Sequence, residues 1–489
     1  MQARELRVVV LGAGMAGILA GIRLQQAGYG NIAIYEKADR VGGTWRENTY
    51  PGLTCDVPSH HYTYSFERNP DWTRHLPPGP EVLAYFERTA EKFGLDQLIR
   101  FGEEATSAEF VDGRWELEFS TGRRDSADVV IAATGVLHHP RYPDIEGAGE
   151  FGGKLFHSAR WDHSVPLEGK RIGVIGNGST GVQIVSALAG KAGHLVHFQR
   201  TAQWIMPVEN GEFTREERAA FHDPEVLAAA MNVEEYNAAV ERYTEAIIDM
   251  DSPGAREMGA YCLANLEQGV TDPELREQLR PDHAPLCKRL VFSPDYYQAI
   301  QHPNAQLVTQ GIARIEPGGI RTDDGELHEL DVIVYATGFR PDRFMRPMRI
   351  TGPDGVDLES FWAERPKAYL AVSMPGFPNL FMLNGPNGPV GNFSLIDIAE
   401  HQWVYIEQLL ARLRDGHCEQ LAPTREAMDA FETERVAAAK QTVWFRGGCV
   451  SWYLDDQGVP SSWPWNYSRF VKEMSQPDWA AFGVDAPGP

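Results

Sequence analysis

The sequence has few cysteines, and none of them is close to another along the chain. There are five in 489 residues, and no two form a Cys-x-x-Cys pair. A zinc ribbon and a thioredoxin-like redox centre both need such pairs, so both are excluded, and we expect no metal site. An odd number of scattered thiols is typical of a reducing compartment, which predicts a cytoplasmic location. The five are Cys55, Cys262, Cys287, Cys418 and Cys449.

Long apolar runs are also missing. A helix that crosses a membrane needs roughly 20 consecutive, mostly apolar residues. Residues 369–384 come closest to such a run, but Pro375, Gly376 and Pro378 interrupt them. The sequence therefore predicts no membrane-spanning helix.

Positive charge is scarce relative to negative charge. Lys and Arg number 45 against 68 Asp and Glu, which gives a formal net charge of −23 at pH 7. Because nucleic acids and many membrane surfaces are anionic, neither is expected as a partner. A local basic site for a phosphate remains compatible with this charge. The length suggests two or three domains, and the oligomeric state stays open.

The first motif that is present is a glycine loop between an apolar strand and a helix. Residues 6–11 form the predicted strand, Gly12, Gly14 and Gly17 follow, and a second strand ends at Glu36. The glycines permit a tight turn, a close approach to a pyrophosphate, and helix-on-strand packing. The helix N-terminus then faces the phosphates, and the acid accepts hydrogen bonds from a ribose. This pattern predicts a Rossmann-like fold for FAD or NAD.

The same pattern recurs in the middle of the chain. A strand at residues 171–175 precedes Gly176, Gly178 and Gly181, and a helix follows. Arg200 occupies the place after Gly181 that Glu36 occupies after Gly17 in the first motif. An arginine there suits a ribose 2′-phosphate, so the second fold should bind NADPH. The alternative is a surface arginine.

A second repeat supports two dinucleotide-binding units. DVVIAATG at residues 128–135 resembles DVIVYATG at 331–338, and both are predicted strands, although each could be an ordinary strand of a parallel sheet. Residues 209–284 are rich in Ala and Glu, and their apolar residues have helical spacing, which predicts a helical insertion. The insertion either caps a substrate cavity or has no role in the site. The predicted fold is α/β, with two Rossmann-like domains and a helical insertion. The predicted boundaries are 1–140 with 342–489 for FAD, 141–208 with 285–341 for NADP, and 209–284 for the insertion.

Three further stretches leave alternatives open on the residues alone. FGGKLFHSARWD, at residues 151–162, is either a glycine-rich linker or a joint that couples the two cofactor sites. Asp56 ends a Gly- and Pro-containing loop that starts at Gly42, and it is either a solvated turn residue or a site residue. Lys288 and Arg289 form either a surface pair or part of a site.

Two of these stretches resemble a known family. Residues 151–162 fit F-x-G-x-x-x-H-x-x-x-W-(P/D), and residues 42–56 fit (A/G)-G-x-W-x-x-x-x-(F/Y)-P-(G/M)-x-x-x-D. Both patterns are typical of type I Baeyer–Villiger monooxygenases, which use FAD and NADPH. Related enzymes that oxidise nitrogen or sulfur typically carry Tyr at the tryptophan position. The matching residues of the first pattern, the domain joint, are Phe151, Gly153, His157, Trp161 and Asp162.

The resemblance implies a reaction. In this family a C4a-peroxyflavin, formed from NADPH-reduced FAD and O₂, attacks a ketone carbonyl, and the Criegee adduct rearranges to an ester or lactone. A nitrogen- or sulfur-oxidising monooxygenase is the alternative. An NADPH:disulfide reductase would need Cys-x-x-Cys, which is absent. A flavin-binding redox sensor without catalysis is the remaining alternative.

The resemblance also assigns roles to residues. Arg289 matches the arginine that stabilises the peroxide and the Criegee oxyanion, and Asp56 matches the acid that orients it. Lys288 matches a residue that reaches the 2′-phosphate with Arg200. Trp452 resembles a tryptophan that contacts the nicotinamide nucleotide, but the following YLDD replaces the Gly-Ala-Asn of cyclohexanone-type relatives, which leaves the role of Trp452 and a small cyclic ketone substrate in doubt. The expected cofactor contacts are Gly12, Gly14, Met15, Ala16, Gly17, Glu36, Gly43, Thr44, Trp45, Asp56, Tyr62, Gly176, Gly178, Ser179, Thr180, Gly181, Gln183, Arg200, Thr201, Lys288 and Trp452.

Overall fold

The computed structural model describes residues 4–485. Its strands are, in chain order, β1 (Arg7–Leu11), β2 (Asn31–Glu36), β3 (Ile99–Phe101), β4 (Ala105–Val111), β5 (Arg114–Phe119), β6 (Arg124–Ala127), β7 (Val129–Ala132), β8 (Lys154–His157), β9 (Arg171–Ile175), β10 (His194–Phe198), β11 (Ile205–Pro207), β12 (Val291–Ser293), β13 (Ala305–Val308), β14 (Ile312–Glu316), β15 (Gly319–Thr322), β16 (Leu327–Glu329), β17 (Val332–Tyr335), β18 (Arg349–Thr351) and β19 (Leu380–Met382).

The helices lie on and between these strands. They are α1 (Met15–Gln26), α2 (Thr44–Glu47), α3 (Gly79–Lys92), α4 (Ser179–Leu188), α5 (Arg215–Ala220), α6 (Pro224–Met231), α7 (Val233–Ile248), α8 (Pro253–Gly269), α9 (Pro273–Gln278), α10 (Tyr296–Ile300), α11 (Leu358–Phe361), α12 (Leu395–Arg414), α13 (Arg425–Ala439), α14 (Val443–Arg446) and α15 (Tyr467–Ser475). None of the helices within residues 4–485 is long and apolar enough to cross a membrane.

Two five-stranded parallel sheets form the framework. The first has the order β19-β7-β1-β2-β3, and the second has the order β13-β10-β9-β17-β8. Their inner strands are buried apolar runs, as expected for sheets covered on both faces. The two repeated segments become β7 and β17, which pair in parallel with β1 and β9. The predicted α/β fold with two Rossmann-like units is confirmed.

Smaller sheets and the insertion complete the fold. β4, β5 and β6 form an antiparallel layer that β18 joins in parallel, and β14, β15 and β16 form an antiparallel sheet. Helices α5 to α9 occupy most of the predicted insertion. The insertion contacts the C-terminal region directly, because the Asn466 amide donates to Glu241 at 2.7 Å. It therefore packs against the chain's last third.

Of the two alternatives for residues 151–162, the structure excludes a linker. β8 lies within these residues and pairs with β17 at the edge of the second sheet. At the start of α12, Ser394 occupies the N-cap position without a side-chain cap bond, and the amide of nearby Asn392 donates to the Trp463 carbonyl oxygen.

Cys287 and Cys449 form a disulfide, although the spacing of the cysteines suggested no pairing. Their Cα atoms are 6.1 Å apart, within the range that a disulfide spans. The two residues are 162 positions apart along the chain, so no local pattern marks them as partners. The bond ties the segment just before Arg289 to the C-terminal region.

Candidate active site

A cavity of about 570 Å³ lies between the two glycine loops. Both parallel sheets present the carboxyl ends of their strands to it, which is where open α/β sheets bind ligands. Most of the residues expected to touch cofactors line this cleft. They are Gly12, Gly14, Met15, Ala16, Glu36, Gly43, Thr44, Trp45, Asp56, Tyr62, Gly178, Ser179, Thr180, Gln183 and Trp452.

The other glycines of the two motifs allow each helix to pack closely against its loop. A side chain on Gly17 would collide with the Gly12 carbonyl, and one on Gly181 would collide with the Gly176 carbonyl. Gly14, just before α1, and Gly178, just before α4, offer no side-chain cap to their helices. The free N–H groups of both first turns are therefore available to phosphates. Each loop fits one dinucleotide.

Glu36 is buried at the end of β2 and is held in place by three donors. Its carboxylate accepts hydrogen bonds from the backbone N–H of Ala13 at 2.8 Å and of Ala38 at 2.9 Å. The buried Arg46 guanidinium lies 3.2 Å from the same carboxylate. Because each carboxylate oxygen can accept two bonds, Glu36 retains capacity for ribose hydroxyls. Arg46 was missed from the sequence, where it appears as an ordinary loop arginine.

Asp56 and Arg289 form an ion pair on the wall of the cleft. Asp56 Oδ2 accepts a hydrogen bond from Arg289 Nε at 2.8 Å, and Nη2 of the same guanidinium lies 2.7 Å from that oxygen. Nη1 of the same guanidinium donates to the Gly391 carbonyl at 2.8 Å. About a quarter of each side chain in the pair is accessible, and both line the cleft. The pair therefore places a fixed cation at the cavity surface.

The charge state of Arg289 is fixed by its surroundings. Burial by itself lowers the pKa of the guanidinium, whereas the Asp56 carboxylate beside it raises the pKa. The net result is a pKa above the ordinary value for arginine. The group therefore remains a cation at every pH at which the protein is folded, and it can stabilise developing negative charge without losing a proton.

A separate basic group lies beside the second glycine loop. It consists of Lys288 and Arg200, together with Thr201, which follows Arg200 in the sequence and contacts Lys288. Lys288 Nζ donates to Thr201 Oγ1 at 2.6 Å. Burial and the nearby Arg200 both lower the pKa of Lys288. Two cations close enough to repel one another are favoured by an anion that binds between them. This is the arrangement that a 2′-phosphate requires.

His157 ties the edge of the second sheet to the loop that follows β17. Its Nδ1 accepts from the Ala159 N–H at 3.1 Å, so Nε2 carries the proton and donates to the Gly338 carbonyl at 3.0 Å. Burial lowers the pKa of His157 to about 4, which keeps the ring neutral at neutral pH. The same segment reaches the first domain, because Arg160 lies 2.7 Å from Glu47. His157 is thus a structural joint.

The other joint residues hold this segment on the second domain. Phe151 packs against the core on one face of the second sheet, and Trp161 packs edge-on against Phe156 at 5.1 Å. A side chain on Gly153 would collide with the Asp331 carbonyl, and the Asp162 carboxylate accepts from the Ser164 N–H at 3.0 Å. The whole stretch is therefore rigidly attached to the second sheet.

Known proteins resemble this chain over nearly its full length. A family model described as pyridine nucleotide-disulphide oxidoreductase matches residues 6–239. A monooxygenase of Mycobacterium tuberculosis is 49% identical, covering 95% of this chain and 93% of its own. A Baeyer-Villiger monooxygenase of Streptomyces coelicolor is 36% identical, covering 99% of this chain and 94% of its own. The chain belongs to the Baeyer–Villiger monooxygenase family.

Solved structures agree with this assignment. OTEMO in complex with FAD and NADP superposes with a TM-score of 0.86 at 28% identity, covering 97% of both chains. Cyclohexanone monooxygenase from Rhodococcus sp. Phi1 bound to NADP⁺ superposes with a TM-score of 0.84 at 30% identity, covering 96% of both chains. These comparisons do not support a nitrogen- or sulfur-oxidising enzyme better than a Baeyer–Villiger monooxygenase.

This Baeyer–Villiger monooxygenase has a further contact between its two halves that the sequence did not reveal. The Tyr50 hydroxyl donates to the Gln183 side chain at 2.9 Å, and the Gln183 amide donates to the Thr54 carbonyl at 2.9 Å. Gln183 lies on α4, whereas Tyr50 and Thr54 belong to the loop that ends at Asp56. The second dinucleotide unit thereby fixes the loop that carries Asp56.

The C-terminal part of this Baeyer–Villiger monooxygenase also reaches the site. Trp452 lines the cleft, as the resemblance implied for a residue near the nicotinamide nucleotide. It stacks on Tyr453 with ring centroids 4.1 Å apart, and Tyr453 stacks on Trp444 at 4.7 Å. The sequence analysis identified Trp452, but Tyr453 was not singled out.

Proposed function

We propose that this chain is an FAD- and NADPH-dependent monooxygenase that inserts one O₂-derived oxygen atom next to a ketone carbonyl. The product is an ester or lactone. The observation that carries this proposal is the Arg289 cation, held by Asp56 on the wall of a cleft between two dinucleotide loops. A cation in that place meets the need of carbonyl addition, which puts negative charge on the former carbonyl oxygen.

The two loops take different dinucleotides. The first, with Glu36 at the ribose position, holds FAD, and the second, with Arg200 and Lys288, holds NADPH. When bound, FAD supplies the activated oxygen and NADPH supplies the hydride. On this assignment the FAD domain comprises residues 1–140 and 342–489, the NADP domain comprises residues 141–208 and 285–341, and residues 209–284 form the insertion.

At the reacting carbonyl, Arg289 stabilises the developing negative charge and Asp56 orients Arg289. The guanidinium, always protonated, donates hydrogen bonds to the oxygen on which negative charge develops. Asp56 orients the guanidinium through two of its nitrogens and offsets the cost of burying its charge. His157 takes no part in proton transfer, because both of its nitrogens are engaged with the backbone.

The first prediction concerns the coenzyme. The unmodified protein should prefer NADPH to NADH, because Arg200 and Lys288 can pair with a 2′-phosphate. Arg200→Ala or Lys288→Ala should each cost about 1–3 kcal/mol in kcat/KM for NADPH and little for NADH. Steady-state NAD(P)H oxidation measures both coenzymes. Lys191→Ala, an exposed cation of the same domain, is the matched control and should change neither.

The coenzyme assignment has a clear contrary result. Equal specificity constants for NADPH and NADH in the unmodified protein would mean that Arg200 and Lys288 do not read a 2′-phosphate. In that case the second loop would still fit a dinucleotide, but its basic group would be an ordinary feature of the surface.

The second prediction concerns the joint. His157→Ala removes the bond to Gly338 but leaves the first glycine loop intact, so FAD should stay bound. Ester formation should fall about tenfold, or NADPH consumption should yield hydrogen peroxide in place of ester. His157→Gln, whose amide can still donate to Gly338, should restore part of the loss. If His157→Ala leaves the rate of ester formation and the ester formed per NADPH unchanged, residues 151–162 contribute only to packing.

The proposal as a whole is tested by product analysis. The enzyme, NADPH and O₂ are incubated with a panel of ketones of graded size, with a thioether and a tertiary amine in parallel. Mass spectrometry should find an ester or lactone from at least one ketone. Sulfoxide or amine oxide formation without any ester would instead support the nitrogen- or sulfur-oxidising alternative. Because YLDD follows Trp452, we do not expect cyclohexanone to be the preferred ketone.

The cytoplasmic location stays a prediction from the scattered cysteines. The Cys287–Cys449 disulfide weighs against it, since such bonds are rare in reducing compartments. Mapping of the native protein's thiols by mass spectrometry would show whether the bond is present when the protein is isolated from the cytoplasm.

A further inference from the structure

We propose that Tyr453 is a positioning residue that holds Arg289 in its reactive orientation and couples that orientation to the nucleotide side of the cleft. The proposal rests on the proposed function of Arg289. Neither the glycine motifs nor the two family patterns include Tyr453.

Tyr453 contacts the residue that holds Arg289. Its phenol oxygen lies against the Cα of Gly391, where an added side chain would collide with it. The phenol also lies beside the Arg289 guanidinium. The carbonyl of the same Gly391 accepts from Arg289 at 2.8 Å. The guanidinium is therefore surrounded by a carboxylate, a backbone carbonyl and a phenol.

The orientation of the Arg289 guanidinium depends on Gly391 as well as on Asp56. In its rigid, planar fork, the Nε group donates to Asp56 and Nη1 donates to the Gly391 carbonyl. Nη2 lies 2.7 Å from the same Asp56 oxygen. Removing the phenol oxygen would leave space beside Gly391, so the carbonyl that holds Nη1 would be free to shift and the donors that face a reactant would be aimed less well.

Tyr453 is held rigidly by its neighbours. It is 1% exposed, and its ring is stacked between Trp444 and Trp452 with interplanar angles of 24° and 29°. The Cys287–Cys449 bond joins the segment before Arg289 to the segment before Tyr453. The phenol oxygen and the guanidinium thus belong to one packed unit. Since Trp452 lines the cleft, a nucleotide that contacts it presses on the ring that supports Arg289.

The charge state of Tyr453 also suits this position. Burial raises the pKa of the Tyr453 phenol, although Arg289 beside it works in the opposite direction. The phenol is therefore neutral at neutral pH. A neutral group beside Arg289 leaves the positive charge of the guanidinium uncancelled, whereas a second carboxylate at this place would cancel it.

The test is Tyr453→Phe, which removes one oxygen and keeps the stacked ring. We expect kcat for ester formation to fall about tenfold, with KM for the ketone changed by less than about twofold. The hydrogen peroxide released per NADPH should rise. The rate of flavin reduction by NADPH should stay within about twofold, because the hydride comes from the other cofactor. A crystal structure of the variant should show the Arg289 side chain rotated or in several orientations.

Tyr261→Phe, which removes a hydroxyl from a tyrosine that is 59% exposed, is the matched control and should behave as the unmodified enzyme. If Tyr453→Phe does not fold, Trp444→Phe serves in its place, because it weakens the stack that fixes the Tyr453 ring without changing Arg289, Asp56 or Gly391, and it should lower the same kcat. An ester rate and coupling equal to the unmodified enzyme would overturn the proposal. If the unmodified enzyme makes no ester at all, the proposed function fails instead, and the crystal structure alone decides: an unmoved Arg289 overturns the role of Tyr453.

Discussion

Arg289→Ala should abolish ester formation. Carbonyl addition puts negative charge on the former carbonyl oxygen in a cleft that excludes much of the water, and removing one donor from such a site typically costs about 10²–10³ in rate. Here the loss should be larger, because Arg289 supplies both the hydrogen bond and the full positive charge. Flavin reduction by NADPH should slow but remain measurable. Stopped-flow absorbance measures the reduction, and gas chromatography with mass spectrometry measures the ester.

Arg289→Lys is the informative companion variant. Lysine keeps a positive charge but lacks the planar fork that spans Asp56 and Gly391, and burial favours its neutral form. It should therefore recover only a small part of the activity. Bound FAD and the melting temperature should be checked in both variants, since Arg289→Ala leaves Asp56 without its partner. Ester formation at a near-normal rate in Arg289→Ala would remove this arginine from the mechanism and favour nitrogen or sulfur oxidation.

Asp56→Ala should lower ester formation strongly, though less completely than Arg289→Ala. The change removes the hydrogen bond from Nε and the ion pair with Nη2, while the Gly391 carbonyl still accepts from Nη1. A hydrogen bond to a charged group contributes about 1.5–3 kcal/mol, so with the loss of the ion pair we expect a fall on the order of 10²-fold in kcat. The measurement is ester formed per NADPH consumed, at saturating coenzyme and ketone.

Asp56→Asn separates orientation from charge. The amide oxygen can still accept one bond from Arg289, so this variant should fall between Asp56→Ala and the unmodified enzyme. Thr54, which accepts from Gln183 in the same loop, should keep the loop in place in both variants. If Asp56→Ala and the unmodified enzyme have equal rates, Gly391 and Tyr453 suffice to hold Arg289, and Asp56 is not part of the site.

The glycine loops could be predicted because their signal is local. Gly12, Gly14 and Gly17 lie within six residues of sequence, and Gly12 and Gly17 have no room for a side chain. Strand, loop, helix and strand then follow in order, so the fold and the first cofactor cradle were predictable from residues alone. The second loop repeats the signal, and Arg200 is distinguished by comparison with Glu36.

The centre of the site could not be predicted from the residues alone. Asp56 and Arg289 are 233 positions apart, and each on its own resembles a solvated loop residue. The resemblance to a family paired them, and the structure places them 2.7 Å apart. Tyr453 lies in an irregular, aromatic segment with no periodicity. Its role depends on a stack and a phenol contact that exist only after the chain has folded.

The most direct test of the central claim is the origin of the inserted oxygen. The enzyme and NADPH are given a converted ketone from the panel under heavy-isotope oxygen gas in ordinary water, and the product is analysed by mass spectrometry. The account predicts one heavy oxygen atom in each ester, located between the former carbonyl carbon and the migrated carbon. The mirror experiment, ordinary oxygen in heavy-isotope water, should leave that position unlabelled. An ester whose inserted oxygen, between the former carbonyl carbon and the migrated carbon, comes from water would contradict the account. The absence of an ester from every ketone tested would also contradict it.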